Sequence, residues 1–258
     1  WKVKEGIKIV MEDKKVILLF SDLEGTILND EEGRYAEEDM YGLLEQIERM
    51  QSITGAEVHI HLVSPVFEKQ MEKTIDDIDT NIIRYNIKNQ EKTRIKEIEG
   101  GTCTPEIGVS SSYKKFNNKV VPFKPPIKCK DADVSLYGKE SYVMNWCEYY
   151  SEKGRLKTAI YCGNGRNDSL AMKYVKKKAN GFVVCPVNSK DEAKNQADFI
   201  SEKADLKGIT EGIFKINNEI EKVVHSHEEK VSKVKDDYDL EIYWLEYINK
   251  KWKGGKNV

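Results

Sequence analysis

The sequence predicts an α/β fold: one parallel sheet with helices on both faces. Three observations predict it. Continuous apolar runs of strand length, such as Val16–Ser21, read as strands buried on both faces. The segments that follow them place apolar residues three or four apart, the period of an amphipathic helix. The two kinds of segment alternate along most of the 258 residues, as strand–helix–strand crossovers require.

Taken in order, the strand at Val16–Ser21 ends at Asp22, and Gly25 marks a turn. Residues 35–50 read as a helix with Met40, Leu43, Leu44 and Ile47 on one face. Residues 56–63 are a second strand, ending at Ser64 and Pro65, and 66–87 a long helix with Met71, Ile75, Ile78 and Ile82 in step. Within 89–130 the character changes: Gly100, Gly101, Pro105, Asn117, Asn118, Pro122, Pro125 and Pro126 break up any long element. Short strands and loops are expected there, forming a small cap or insertion. Alternation resumes with a helix at 138–150, a strand at 157–162, a helix at Ser169–Lys178 and a strand at 181–186. A short helix at 191–195, a strand at 197–200 and a helix at 208–220 follow. The charged stretch 219–251 has no Pro or Gly and reads as helix. The expected organisation is a core of 14–88 and 131–216, an insertion at 89–130 and a helical C-terminal extension at 217–258.

Composition narrows the function classes. Lys+Arg 42 against Asp+Glu 44 leaves a net charge of −2, which excludes nucleic-acid binding through bulk positive charge. With 39% hydrophobic and 33% charged residues the chain is globular rather than disordered. No apolar run approaches the ~18–20 residues of a membrane span, and residues 1–15 lack the apolar block of a signal peptide. The first residue is Trp1, which suggests a fragment or a processed chain. Cys103, Cys129, Cys147, Cys162 and Cys185 form no metal spacing and no disulfide framework; reduced thiols and a cytoplasmic location are expected.

Four short pieces carry candidate chemistry, each at a strand end or a helix start. Open α/β sheets bind ligands at the carboxyl ends of their strands, where Asp22, Ser64 and Asn164 all fall. In the first piece, Asp22 and Glu24 stand two apart before Gly25, which permits a bend that turns both carboxylates into one pocket. One carboxylate can act as nucleophile while the other moves protons. In the second, the Ser64 hydroxyl can bond an anion or, as the preferred reading when taken alone, cap a helix that opens at Pro65. Third comes Lys139, opening a helix after Gly138; buried near two carboxylates it would offset their charge and hold a phosphoryl oxygen. The fourth is Gly163-Asn164-Gly165-Arg166-Asn167-Asp168, where Asn164 and Asp168 offer oxygen ligands to a hard cation such as Mg²⁺. Each piece has a plainer reading alone: an acidic turn in water, a helix cap, a solvated lysine, a glycine-rich loop. The fourth fits a dinucleotide fingerprint poorly, because it lacks the third Gly and lies outside the first strand–helix unit.

In this order the set resembles the haloacid-dehalogenase-like (HAD) phosphatase superfamily. The stretches Ala197-Asp198-Phe199-Ile200 and Leu206-Lys207-Gly208-Ile209 are similar to the C-terminal end of Cof-type members. The resemblance covers the core and implies a Rossmann-like parallel sheet. It further implies that Asp22 attacks phosphorus to form an aspartyl-phosphate, and that Glu24 protonates the leaving oxygen and then activates water. By the same resemblance Thr26, Ser64 and Asn167 bind the phosphoryl group and Lys139 neutralises charge. Mg²⁺ is implied on Asp22, Glu24 through its backbone carbonyl, Asn164 and Asp168. Glu24 stands where most members carry Asp, and Asn164 where Asp is commoner. Weaker metal binding and a larger share for Asp168 are therefore expected. The leading expectation is a Mg²⁺-dependent phosphatase acting on a phosphorylated substrate. The alternatives are a phosphotransferase of the same type and a catalytically weakened binding or scaffold protein.

Other features point less sharply. His59 and His61 share a face of the second strand, as a metal pair or, preferably, as packing. His225 and His227 lie on the charged tail and read as solvated. Lys114, Lys115, Lys119, Lys124, Lys128 and Lys130, with Tyr113, Phe116 and Phe123 among them, could contact a polyanion or simply be a solvated loop. Leu240, Tyr243, Trp244, Tyr247, Ile248 and Trp252 recur at helical spacing and would cover the core or form a homodimer contact.

Overall fold

Strand β1 (Val16–Ser21) is apolar through its first five residues and buried along its whole length, so it needs neighbours on both edges and helices on both faces. The computed structural model describes residues 14–29, 31–65, 68–89, 98–104, 108–116, 119–123 and 138–231. After β1 come α1 (Glu37–Thr54), β2 (Glu57–Ser64) and α2 (Glu68–Asn89). Three strands follow, β3 (Ile98–Thr104), β4 (Gly108–Phe116) and β5 (Lys119–Phe123). Next are α3 (Lys139–Glu152), β6 (Leu156–Cys162), α4 (Ser169–Lys178) and β7 (Phe182–Cys185). The described chain closes with α5 (Asp191–Lys194), β8 (Phe199–Ile200) and α6 (Asp205–Val231). The sheet order is β5-β4-β3-β2-β1-β6-β7-β8, parallel from β3 to β8, with β4 and β5 antiparallel at one edge. The expected α/β parallel sheet with helices on both faces is the architecture found.

Alternation along β1 builds two cores. Ile17 and Leu19 point to one face, where α1, α2 and α6 supply Met40, Leu44, Ile47, Ile75, Ile213 and Ile216. Val16, Leu18 and Phe20 point to the other, where α3 and α4 supply Tyr142, Trp146, Tyr150, Met172 and Val175. His59 and His61 join this second face. The Tyr150 hydroxyl and His59 Nδ1 are 2.9 Å apart, and His61 lies 4.8 Å from Trp146 and 5.1 Å from Phe20, ring centre to ring centre. Packing, not a metal pair, is what these imidazoles do.

Two expected boundaries are corrected. The described part of 89–130 is no cap; it continues the core sheet. The edge of β2 presents unpaired N–H and C=O groups, and β3 takes them up in parallel register from Ile60 opposite Ile98 to Ser64 opposite Thr102. Pro122 sits on the outermost strand, where a missing N–H costs least. Because β4 runs antiparallel, Ser111 lies beside Thr102 while Lys114 and Lys115 come later, farther from the carboxyl edge of β2. Lys124, Lys128 and Lys130 lie outside the described residues. The second correction concerns residue 217. Helix α6 runs through it unbroken, because its apolar period continues from Leu206, Ile209, Ile213 and Ile216 to Ile220 and Val223. Asn217 is fully buried and donates from Nδ2 to the Gln46 carbonyl of α1 at 2.9 Å. The extension beyond Val231, with its apolar stripe, lies outside the described residues. Among the described residues no helix is long and apolar enough to cross a membrane.

Candidate active site

Asp22 is the first residue beyond β1, and its N–H still pairs with the Cys162 carbonyl of β6 at 2.9 Å. Gly25, at φ +64°, reverses the chain in the left-handed region that favours glycine. Gly25 N–H then bonds the Leu28 carbonyl at 2.8 Å, and the amides of Thr26, Ile27 and Leu28 all point at the Leu23 carbonyl, at 3.2, 2.9 and 2.8 Å. This tight turn buries Thr26 completely and leaves Glu24 exposed. Ser64 ends β2 and is fully buried. The hydroxyls of Thr26 and Ser64 have no hydrogen-bond partner among the described residues. A buried polar group left unpaired costs ~1–3 kcal/mol. Two of them at one sheet edge need an explanation, and a ligand with acceptor oxygens supplies one.

Lys139 opens α3 and is buried, its Nζ 2.8 Å from Asp22 Oδ1 and 2.7 Å from Asp168 Oδ1. Asp168 is fully buried as well. Its Oδ1 also accepts the Tyr161 hydroxyl at 2.8 Å, and its Oδ2 accepts the N–H groups of Asn164 and Gly165 at 3.1 and 2.9 Å. A carboxylate has about four acceptor positions, and here four donors occupy them. Gly163 makes this possible: a Cβ there would stand 2.7 Å from Asp168 Cγ and 2.9 Å from Tyr161 Cε1.

Two carboxylates and one ammonium leave this buried group with a surplus negative charge. Burial and the charge of Asp168 raise the Asp22 carboxyl to about 6, against the pull of Lys139 and the Leu23 N–H. Burial opposes the charge on Lys139, but the two carboxylates outweigh it and hold the ammonium above the ordinary lysine range. Lys139 thus remains the cation that faces both carboxylates.

The sequence-predicted set is thus brought together in part. Asp22, Lys139 and Asp168 touch; Thr26 and Ser64 are buried at the same edge; Asn164 is half-buried and meets Asp168 through its backbone. Asn167 is half-buried in the short turn before Asp168, with no bond to Asp22, Thr26 or Ser64 among the described residues. Glu24 faces outward. Tyr161 was not foreseen, because a tyrosine inside a buried strand reads as core. Asn188 and Asp205 were also missed. Asn188 donates from Nδ2 to the Gly25 carbonyl at 3.1 Å and to Asp205 Oδ1 at 2.8 Å. The one available signal was the position of Asn188 just past another parallel strand.

Among the described residues no three His, Cys, Asp or Glu side chains stand close enough to hold a metal ion. The donors left over are hard oxygens: Asp22 Oδ2, which makes none of the bonds above, the Asn164 side-chain amide, and the Glu24 backbone carbonyl. This is chemistry suited to Mg²⁺ rather than to a soft metal.

No protein-family model matches the chain, and no curated protein does. Solved structures with a similar fold include the cobalt-bound deoxy-D-mannose-octulosonate 8-phosphate phosphatase of Haemophilus influenzae, at 12% identity and TM-score 0.40, covering 78% of this chain and 85% of that one. A haloacid dehalogenase-like hydrolase of Bacteroides thetaiotaomicron aligns at 13% identity and TM-score 0.43, covering 79% of this chain and 100% of that one. At such identities and scores the functional reading rests on this chain's own residues.

Proposed function

We propose that this chain is a Mg²⁺-dependent phosphoester hydrolase of the HAD type, with Asp22 as nucleophile. One observation carries the reading: a buried Asp22–Lys139–Asp168 group at the same sheet edge as the buried hydroxyls of Thr26 and Ser64, which have no hydrogen-bond partner among the described residues. An ionised, desolvated carboxylate next to a fixed ammonium suits attack on phosphorus. The Asp22 carboxylate, through the oxygen not given to the metal, forms a bond to phosphorus as the bond to the leaving oxygen breaks, giving an aspartyl-phosphate. Glu24 protonates the leaving oxygen. It then takes a proton from water, which attacks phosphorus, frees phosphate and restores Asp22. The exposure of Glu24 supports a carboxyl that works at the mouth of the site, and its extra methylene extends its reach. Thr26 and Ser64 donate to the phosphoryl oxygens, Asn167 contacts the substrate, and Lys139 offsets the charge.

Bound Mg²⁺ supplies further charge neutralisation at the phosphoryl oxygens. Asp22 Oδ2, the Glu24 carbonyl and Asn164 would hold it. We assign Asp168, whose acceptor positions are filled, to holding Lys139 and the loop rather than the ion. Only one of those three ligands is charged, so the site binds weakly. The buried free thiols of Cys147, Cys162 and Cys185 fit a reducing cytoplasm. Hydrolysis of an aryl phosphate with and without Mg²⁺ tests the reading, with Asp22→Asn as the reference. Turnover no faster than that of Asp22→Asn across a broad phosphoester panel would defeat it. One observation favours a second reading: with Glu24 turned to solvent and Asn164 uncharged, a binding protein would retain phosphate affinity with no turnover.

A further inference from the structure

The site is carried by two loops, the turn at 22–28 after β1 and the loop at 163–168 after β6. The loop after β7 bonds to both through three consecutive residues. Asn188 Nδ2 donates to the Gly25 carbonyl at 3.1 Å, Ser189 Oγ to the Gly163 carbonyl at 3.5 Å, and the Lys190 N–H to the Asn164 carbonyl at 2.8 Å. Asn188 is itself gripped by the first residue of α6. Its Nδ2 donates to Asp205 Oδ1 at 2.8 Å, and the Asp205 N–H donates to its Oδ1 at 3.2 Å. Asp205 Oδ2 accepts Asn29 Nδ2 at 2.9 Å, on the far side of the same turn. Asp205 also sits at φ +48°, a left-handed conformation unfavourable for any residue with a Cβ, though Asp bears it better than most. Such strain persists where surrounding bonds over-determine it, and it collects at functional sites.

We propose that Asn188 and Asp205 are positioning residues that clamp the turn bearing Glu24 and Thr26 against the loop bearing Asn164 and Asp168. The proposal rests on the hydrolase reading. The clamp fixes the gap between the two loops, and that gap decides whether Asp22, Thr26 and Asn164 meet one phosphoryl group. Neither residue touches the reacting atoms; each acts through the Gly25 carbonyl and the turn behind it. A shift of about 1 Å at such a distance can cost ~10²-fold in rate.

Two variants separate the clamp from general stability. Asp205→Gly suits the left-handed backbone yet removes both carboxylate acceptors. Asn188→Asp keeps size and removes the amide donor. Each is compared with wild type by amide hydrogen exchange at Thr26, Ile27 and Leu28, and by steady-state kinetics on an aryl phosphate with Mg²⁺. Exchange at these amides should rise ~10-fold or more while α4 is unchanged. The kcat should fall roughly 10–100-fold, with KM moving far less. Asp205→Asn, which keeps an acceptor oxygen and tolerates the same φ, should recover most of kcat. Where Asp205→Gly does not fold, Asn188→Asp carries the test. Unchanged exchange overturns the proposal, and so does faster exchange with unchanged kcat. If wild type hydrolyses no phosphoester, the hydrolase reading falls and exchange alone decides the clamp, a rise supporting it and no change overturning it.

Discussion

The two faces of the sheet are built from different materials. Under α1, α2 and α6 the contacts are Leu, Ile and Met against Ile17, Leu19 and Ile60. Under α3 they are chiefly Tyr and Trp against Phe20, His59, His61 and Tyr161, with Met172 and Val175 of α4 alongside. An aliphatic face asks only for close packing. An aromatic one buries as much apolar surface but brings hydroxyl and ring N–H groups that need partners. Those polar handles let the second face support charge. Tyr161 hands its hydroxyl to Asp168, and α3, anchored by Tyr142 and Trp146, delivers Lys139 to the carboxyl edge. The first face should supply stability that does not change with pH, and the second, which organises the ionised groups, should make the protein's stability depend on pH.

The sharpest way to break this contrast is to remove one charge from the second face. Lys139→Met leaves Asp22 and Asp168 buried without their cation, and losing one partner of a buried pair costs ~3–5 kcal/mol. Denaturant unfolding should show that loss at pH 8 and a smaller one at pH 5, where protonation of Asp22 relieves the repulsion, with phosphoester turnover abolished. Leu44→Ala on the first face should cost ~2–5 kcal/mol through the cavity it leaves. That loss should be the same at both pH values, with kcat unchanged. A pH-independent loss in Lys139→Met would show that the two faces do not differ in this way.

Much of this was legible in the sequence, for physical reasons. Strands buried on both faces are continuous apolar runs, so β1 and β7 were readable, and the alternation with helices made β2 and β6 readable too. Asp22, Lys139 and Asp168 were readable because each sits at a fixed offset from a strand end or a helix start. Short strands were expected within 89–130, but the place of β3, β4 and β5 in the core sheet was not readable. Stretches such as Gly108–Phe116 are rich in Ser and Lys, and they become strands through pairing with β3 and β5, a ladder that joins the core only where β3 meets β2. Helix was legible on both sides of residue 217, but not that one helix, α6, runs through it with its apolar period unbroken. The roles of Tyr161 and Asp205 depend on groups that only the fold brings near, so no local pattern announces them.

A smaller effect, of opposite sign, sharpens the same contrast. The Asp22 carboxyl is raised from 3.8 to about 6 by burial and by Asp168. A carboxyl with a raised folded pKa contributes stability that is complete below 3.8 and is lost as pH rises through about 6. Wild type at pH 8 therefore carries a penalty of roughly 2–3 kcal/mol for holding Asp22 ionised. Asp22→Asn should raise the melting temperature at pH 8, and the gain should fade toward pH 4. A melting temperature that falls at pH 8 would mean that the Lys139 contact outweighs the cost of burial.

The smallest expected effect concerns His61, which lies behind the site and takes no part in the chemistry. Burial first, and the neighbouring His59 second, hold its imidazole well below the usual 6.5, so it is neutral in the fold. Its partners on this face are the Tyr142 hydroxyl, 3.3 Å from Nδ1, and the rings of Phe20 and Trp146. The unfolded chain takes up a proton as pH falls through 6.5, and the folded protein does not. The contribution of His61 is thus complete above 6.5 and is lost on acidification, by up to ~1.4 kcal/mol per pH unit. His61→Phe keeps an aromatic ring of similar size and removes the titration. It should lower stability modestly at pH 8, because the Tyr142 hydroxyl loses a partner, yet flatten the fall in stability between pH 6.5 and 5 by about one proton. Ile60→Val, the neighbouring residue on the opposite face, should cost ~0.5–1.5 kcal/mol and leave the slope alone. Unfolding free energies of the three proteins across that range decide the matter. Parallel curves for wild type and His61→Phe would mean that the imidazole is protonated in the fold, and that the aromatic face tolerates a charge where this packing leaves no room for one.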